Sequence, residues 1–233
     1  MQEKGYTYLR TYRYERKFMV EDLLPQQVSA LIKQHPRMFI SPYPPRYINN
    51  LYLDTPELVN YFDNVNGSTL RRKVRVRWYG EPFGKIDSPM LEIKLKDGVV
   101  GTKRTYPLEP FILDVDFCDR YFQSVVSKSN IPPLVKSNLR GFSVVLFNRY
   151  YRDYYATQDG AFRVTRDTHQ IFYKVNGTFG NQFVHRQRQE KEVIVELKYE
   201  KEQDPHANRV AGFFPFRVTR NSKYVQGIER VYF

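Results

Sequence analysis

The stretch "RRKVRVRW" at residues 71–78 restricts what this chain can fold into more than any other. A strand sends alternate side chains to opposite faces, so Arg71, Lys73, Arg75 and Arg77 share one side and Val74, Val76 and Trp78 the other. Like charges at every second residue repel one another, and neighbouring strands of the same kind worsen that. Other strand-like segments repeat the pattern. By parity Lys17 lies with Arg13 and Glu15, Lys94 and Lys96 with Glu92, Arg152 with Tyr154, Arg163 with Thr165 and Asp167, and Lys198 with Glu196. Opposite them lie apolar sets such as Leu91, Ile93 and Leu95, or Val193, Val195 and Leu197. A solvated sheet face normally mixes signs and uses small polar residues. These faces are dominated by Arg and Lys.

Helical patterns punctuate the strands. "EDLLPQQVSALIKQHP" reads as a helix with Pro25 in its first turn and apolar Val28, Leu31 and Ile32. Thr55 and Pro56 open a second, whose Leu58, Tyr61, Phe62 and Val65 follow helical spacing until Gly67 ends it. Residues 114–140 are mostly helical, interrupted by Pro132 and Pro133. A short helix begins at Pro205, and "NSKYVQGIERV" closes the chain as another. Seven or eight strands separated by tight turns complete the pattern, with 168–188 unassigned between two weak strands and a long loop. No repeat or linker divides residues 1–233, so a single domain is expected. The fold class is α+β, a closed antiparallel β-tunnel of about eight strands with flanking helices. The helices need apolar surface to pack on, which turns the charged faces inward. A lumen lined with cations must hold anions, because unpaired buried charge is very costly.

Composition supports an anionic partner. Lys and Arg number 37 against 25 Asp and Glu, a net charge of +12. That balance fits nucleic acid, an anionic membrane or a phosphorylated ligand. The aromatic residues fall on faces assigned to packing, so nucleic acid is not expected. Cys118 is alone, within a predicted helix, and reads as a packing residue. The first residues carry no apolar run of signal-peptide type, and no stretch approaches the ~20 apolar residues that span a bilayer. The chain reads as cytoplasmic. No phosphate-binding glycine loop or nucleophile elbow is present. The histidines, at 35, 169, 185 and 206, lack metal-ligand spacing and are expected in loops or on the surface. Phosphoryl transfer suits these absences, because it rests on positioning and on charge stabilisation by Arg, Lys and metal. The carboxylates Glu15, Glu92 and Glu196 either pair with cations or help to hold a divalent ion.

"YRYERKF", "VRVRWYG", "LEIKLK", "YYRDYYAT…FRVTRDT", "VELKYE" and "RNSKYVQG" occur in an order that resembles the vacuolar transporter chaperone (VTC) catalytic domain, one of the CYTH-like triphosphate tunnel metalloenzymes. The resemblance implies a polyphosphate polymerase that moves the γ-phosphoryl of ATP onto a polyphosphate chain, using Mn²⁺ or Mg²⁺. By motif, Lys17 looks like the phosphate ligand of the first strand, Arg75 and Arg77 like the paired tunnel arginines, and Lys94 like the lysine of the next strand. Arg152 and Arg163 come from the following hairpin. Glu196 resembles the metal-binding glutamate, with Lys198 beside it, and Arg220 and Lys223 a basic pair that contacts the phosphate chain. Either Lys103 or Arg104 adds a further cation. Arg75, Arg77, Lys94, Arg152 and Arg163 are the expected catalytic set.

Arg13 stands where the wider superfamily begins a glutamate-rich E-x-E-x-K signature, leaving Glu15 and Lys17. That departure disfavours metal-rich triphosphatase chemistry. The expected partners are ATP and inorganic polyphosphate, and a membrane-bound partner is compatible with the family. A triphosphatase of the same fold, and a non-catalytic polyphosphate- or nucleotide-binding module, are the alternatives.

Overall fold

In the computed structural model, residues 13–97, 100–176, 182–189 and 191–233 are described. The side chains of Arg13 and His185, the amino-terminal residues 1–12 and the centre of the "DGVVG" turn lie outside what is described. Strand β1 (Arg13–Val20) precedes helix α1 (Pro25–Lys33), followed by β2 (Arg46–Asp54) and α2 (Val59–Asn66). Next come β3 (Leu70–Tyr79), β4 (Gly84–Ile86), β5 (Met90–Asp97), β6 (Val100–Pro107) and β7 (Phe111–Leu113). Helices α3 (Asp119–Lys128) and α4 (Pro133–Asn138) lead into the long strands β8 (Ser143–Ala156) and β9 (Phe162–Asn176). The chain ends with β10 (Gln182–Gln189), β11 (Val193–Glu200), α5 (Asp204–Gly212) and α6 (Lys223–Tyr232).

The main sheet runs β1-β11-β9-β8-β2-β3-β5-β6, with β10 also paired to β9, and its neighbours are antiparallel. Its register carries the parity argument across strands. Lys73 lies opposite Lys94, and Arg75 opposite Glu92. Lys94 in turn lies opposite Lys103, which puts Lys103, and not Arg104, on the cation face. Lys17 pairs with Glu196, Glu196 with Thr165, and Thr165 with Tyr154.

The opposite face is apolar and covered. Val74, Val76, Trp78 and Leu91 join Phe122, Val125 and Val126 of α3 in one buried cluster. Phe18, Val195 and Leu197 join Val28 and Ile32 of α1 and Val210 of α5 in another. Apolar burial at about 25 cal/mol per Å² is what holds the helices outside and leaves the charges inside the curl.

Helix α6 is the exception, because it packs on the concave side. Tyr224, Ile228 and Val231 meet Tyr52, Leu146 and Phe172. The approach is close at Gly227, where a Cβ would stand 2.4 Å from Leu146 Cδ2 and 2.7 Å from Phe172 Cδ1. Asp54, fully buried, ties this end together: it accepts from the amides of Asn60 and Tyr61 at the start of α2 and from the hydroxyl of Tyr224.

Several expectations change. Among the described residues the sheet curls but does not close, because β1 and β6 are its two ends. Val218 bridges to Phe18 and the amide of Thr219 donates to the carbonyl of Lys17 at 2.8 Å, so part of β1's outer edge is paired by the segment before α6. Among the described residues the sheet has nine strands, and residues 168–176 and 182–189 form the end of β9 and all of β10. In α2 the buried positions are Asn60 and Tyr61, whereas Phe62 and Val65 are exposed, because Asp54 captures the helix start and sets its rotation. His35 is buried rather than superficial: its Nε2 lies 3.0 Å from the Val210 carbonyl and its ring sits among Phe39, Phe213 and Phe214. Cys118 is the residue just before α3.

Candidate active site

Glu196, buried at the middle of β11, gathers the cations of one wall. Lys198 Nζ lies 2.7 Å from one carboxylate oxygen and Arg152 Nη2 3.5 Å from the same atom. Lys17 reaches the other oxygen at 3.3 Å and Lys223, from α6, at 3.8 Å. Burial alone would raise its pKa, but Lys198, Lys17, Lys223 and Arg152 hold it well below the usual carboxylate range. Lys17 also meets Glu15 at 3.3 Å, and both carboxylates raise its pKa against the pull of burial. Beneath them Asp167, fully buried, receives a two-pronged contact from Arg152 at 2.6 and 2.7 Å and a second cation from Lys223 at 2.5 Å.

The facing wall is organised by Glu92. Arg75 Nη2 and Lys103 Nζ each reach it at 2.6 Å, and Arg77 Nη1 lies 3.6 Å away. Burial opposes ionisation of Glu92, but Arg75, Arg77 and Lys103 drive its pKa far down. Arg77 Nε donates to Asn50 at 3.1 Å, and Arg75 and Arg77 each have a phenol at 3.4 Å, from Tyr52 and Tyr150 respectively. The arginines are therefore pre-oriented by neutral oxygens as well as by charge. Lys94 spans the trough towards Glu15 at 4.0 Å, which brings the two walls face to face.

Among the described residues, cations outnumber the carboxylates Glu15, Glu92, Asp167 and Glu196 on this face, and Lys73 registers the imbalance. Its Nζ donates to Ser222 Oγ at 2.8 Å. Burial, then Lys17, Lys94, Lys96 and Arg75, push its pKa down to about 7. An anion entering here meets a positive field that the protein has not neutralised.

The structure thus brings Lys17, Arg75, Arg77, Lys94, Lys103, Arg152, Glu196, Lys198 and Lys223 to one concave surface. Arg163 lies on the same face but at its rim, 52% exposed and 3.9 Å from Glu200. Arg220 is exposed on the segment before α6. Arg152 is committed to Asp167, so it orients its neighbours more than it offers a free guanidinium. Sequence parity placed Asp167 and Lys73 on this face without marking them as site residues, and it missed Tyr52, Tyr150 and Ser222. The Tyr pair was hidden because its aromatic character reads as core.

Among the described residues no group of three or more His, Cys, Asp and Glu side chains could hold a metal. The fit is to an ion that brings most of its oxygens with a phosphate ligand. Mg²⁺ and Mn²⁺ bind in that way, through one or two carboxylates, and ionised Glu196 with neighbouring Glu15 meets that need. No helix among the described residues is long and apolar enough to cross a membrane.

Solved structures align with this chain at low sequence identity. HpAC1 from Hippeastrum, a candidate adenylyl cyclase with a dominant triphosphatase activity, aligns with a TM-score of 0.50 and 16% identity, over 94% of this chain and 97% of that one. A protein of Pyrococcus horikoshii OT3 aligns at 0.49 and 14% identity, over 94% of this chain and 99% of its own. A candidate adenylate cyclase from Vibrio parahaemolyticus aligns at 0.49 and 13%, over 93% and 98% respectively. No curated protein matches by sequence. The family model described as the VTC domain matches residues 12–232, nearly the whole chain, and by that match the protein belongs to the VTC domain family.

Proposed function

We propose that this chain is an ATP–polyphosphate phosphotransferase, which extends a polyphosphate chain inside the basic trough. The observation that carries the reading is the unneutralised positive field around Lys73, Lys94 and Arg75, lined along successive strands where a linear polyanion would lie. A terminal phosphate is already ionised at neutral pH, so the acceptor needs no general base. Arg75 and Arg77, held by Tyr52, Asn50 and Tyr150, would orient the transferring phosphoryl group and meet the charge on its equatorial oxygens. Lys17, Lys94, Lys103, Lys198 and Lys223 would hold the chain and the donor phosphates, with Arg163 and Arg220 guiding the chain at the periphery.

Glu196, with Glu15, would hold the divalent ion, Mn²⁺ or Mg²⁺. When bound, that ion neutralises phosphate charge and aligns donor with acceptor. Hydrolysis of a triphosphate, the second reading, would call for a fuller carboxylate set than the described residues supply. The test is incubation with ATP labelled at the γ-phosphate, Mn²⁺ and a short polyphosphate primer, followed by separation of products by length. A labelled ladder supports the reading. Label released only as orthophosphate moves the chain to the triphosphatase class.

A further inference from the structure

At one end of the trough the cation face turns from charged to aromatic. Tyr79 follows Arg77 on that face of β3, one two-residue step, or roughly 7 Å, further along the strand. Arg46, at the start of β2 and opposite Arg152 in register, lays its guanidinium over the Tyr79 ring, 3.8 Å from the centroid. Its Nε donates to the hydroxyl of Tyr154 at 3.0 Å. Tyr154 meets Tyr43 edge to face at 6.0 Å.

Tyr43 is carried on "SPYPP", residues 41–45, whose prolines fix the backbone angle φ. The segment is anchored where Ile40 exchanges two 2.9 Å backbone hydrogen bonds with Ala156. Tyr43 is 66% exposed and Tyr79 48%. A rigid group of rings with a stacked guanidinium, half open to solvent beside phosphate-binding arginines, is more than rim packing requires. Such surfaces bind planar heterocycles by stacking, with the arginine edge supplying hydrogen-bond donors.

We infer that this rim is the subsite for the base of a nucleoside triphosphate donor, with Arg46 and Tyr79 as the stacking platform and Arg77 beginning the triphosphate path. The inference rests on the reading of the trough as a nucleotide-dependent phosphotransferase site. Inorganic triphosphate, which has no base, separates the two. Calorimetric titration of the full chain with ATP and with inorganic triphosphate is the experiment, using wild type, Tyr79→Ala and Arg46→Lys. The lysine keeps the charge and removes the planar stacking group.

Each variant is expected to lose about tenfold in ATP affinity while its triphosphate affinity changes by less than about twofold. Equal weakening of both ligands, or unchanged ATP affinity in both variants, would overturn the inference and leave the trough reading standing. A wild-type protein that holds neither ligand overturns the trough reading itself, and the base subsite with it.

Discussion

Lys73 donates to Ser222 at 2.8 Å, and the same Ser222 Oγ caps α6 by accepting from the amide of Val225. One hydroxyl thus joins the most depressed lysine of the cation face to the helix that fills one end of the trough. Burial first, and then its cationic neighbours, pull the pKa of this lysine down, and a polyanion would cancel the effect of the neighbours.

Proton linkage follows from that. With its pKa down to about 7, Lys73 is mostly neutral at pH 8, and a bound phosphate chain raises its pKa. Binding should take up as much as about one proton, and affinity should strengthen as pH falls from about 9 to about 7. Calorimetry in buffers of different ionisation enthalpy measures the uptake. Lys73→Met should abolish it, and uptake that persists in this variant would assign the proton elsewhere. Without ligand the sign reverses for stability: the unfolded lysine binds more protons between about 7 and 10.4, so this group favours folding as pH rises through that window.

Acid should lower stability in the same sense through the buried carboxylates, in a lower pH window. Asp167 and Glu196 are ionised against the pull of burial because Arg152, Lys223, Lys198 and Lys17 surround them. Their stabilisation is complete above about pH 4 and lost as pH falls through their lowered folded values. Asp167→Asn leaves Arg152 and Lys223 short of a charge partner in a buried site and should cost roughly 3–5 kcal/mol in denaturant unfolding. A loss below about 1 kcal/mol would mean that water or a shifted side chain satisfies both cations.

The contact between α6 and the sheet gives a steric prediction. Gly227→Ala places a methyl against Leu146 and Phe172 at distances that force one of them to move. Overpacking of this kind costs about 1–3 kcal/mol, which the better helix propensity of Ala offsets by about 1. Thermal unfolding should show a net loss, and Leu146→Ala in the same chain should recover part of the added cost by making room. Additive losses in the double variant would place the strain elsewhere.

Glu196→Gln tests the metal role apart from the anion-binding role. It removes a carboxylate from among four cations, so affinity for polyphosphate without metal should hold or rise. Transfer should fall by roughly 100-fold, and excess Mn²⁺ should restore part of it. Chelation of metal from the wild type should likewise stop transfer without releasing bound polyphosphate. Equal loss of binding and transfer would make Glu196 a purely structural residue.

Much of the trough was legible because strand parity is local. Arg75 and Val76 point apart whatever else the chain does, and a run of alternating cations needs no tertiary information to be read. Lys103 and Arg104 could not be separated until β6 was placed against β5, since parity across a turn depends on its length. The position of α6 was not legible either. Its amphipathic pattern says that one face is buried, but only the close approach at Gly227 shows that the burial is against the concave side. Tyr52 and Tyr150 escaped for a related reason: a tyrosine packs its ring and aims its hydroxyl, and sequence shows only the ring. The expectation of a closed tunnel took the curl correctly and overlooked how Val218 and Thr219 pair with β1 at one end of the sheet.

The most direct measurement is ³¹P NMR of the protein incubated with ATP and Mn²⁺, with and without a short polyphosphate primer. A rising internal-phosphate signal, matched mole for mole by ADP and accelerated by primer, is the expected result. Orthophosphate as the sole product, or no turnover while polyphosphate stays bound, would contradict phosphoryl transfer to a chain and leave the trough as a hydrolytic or purely binding site.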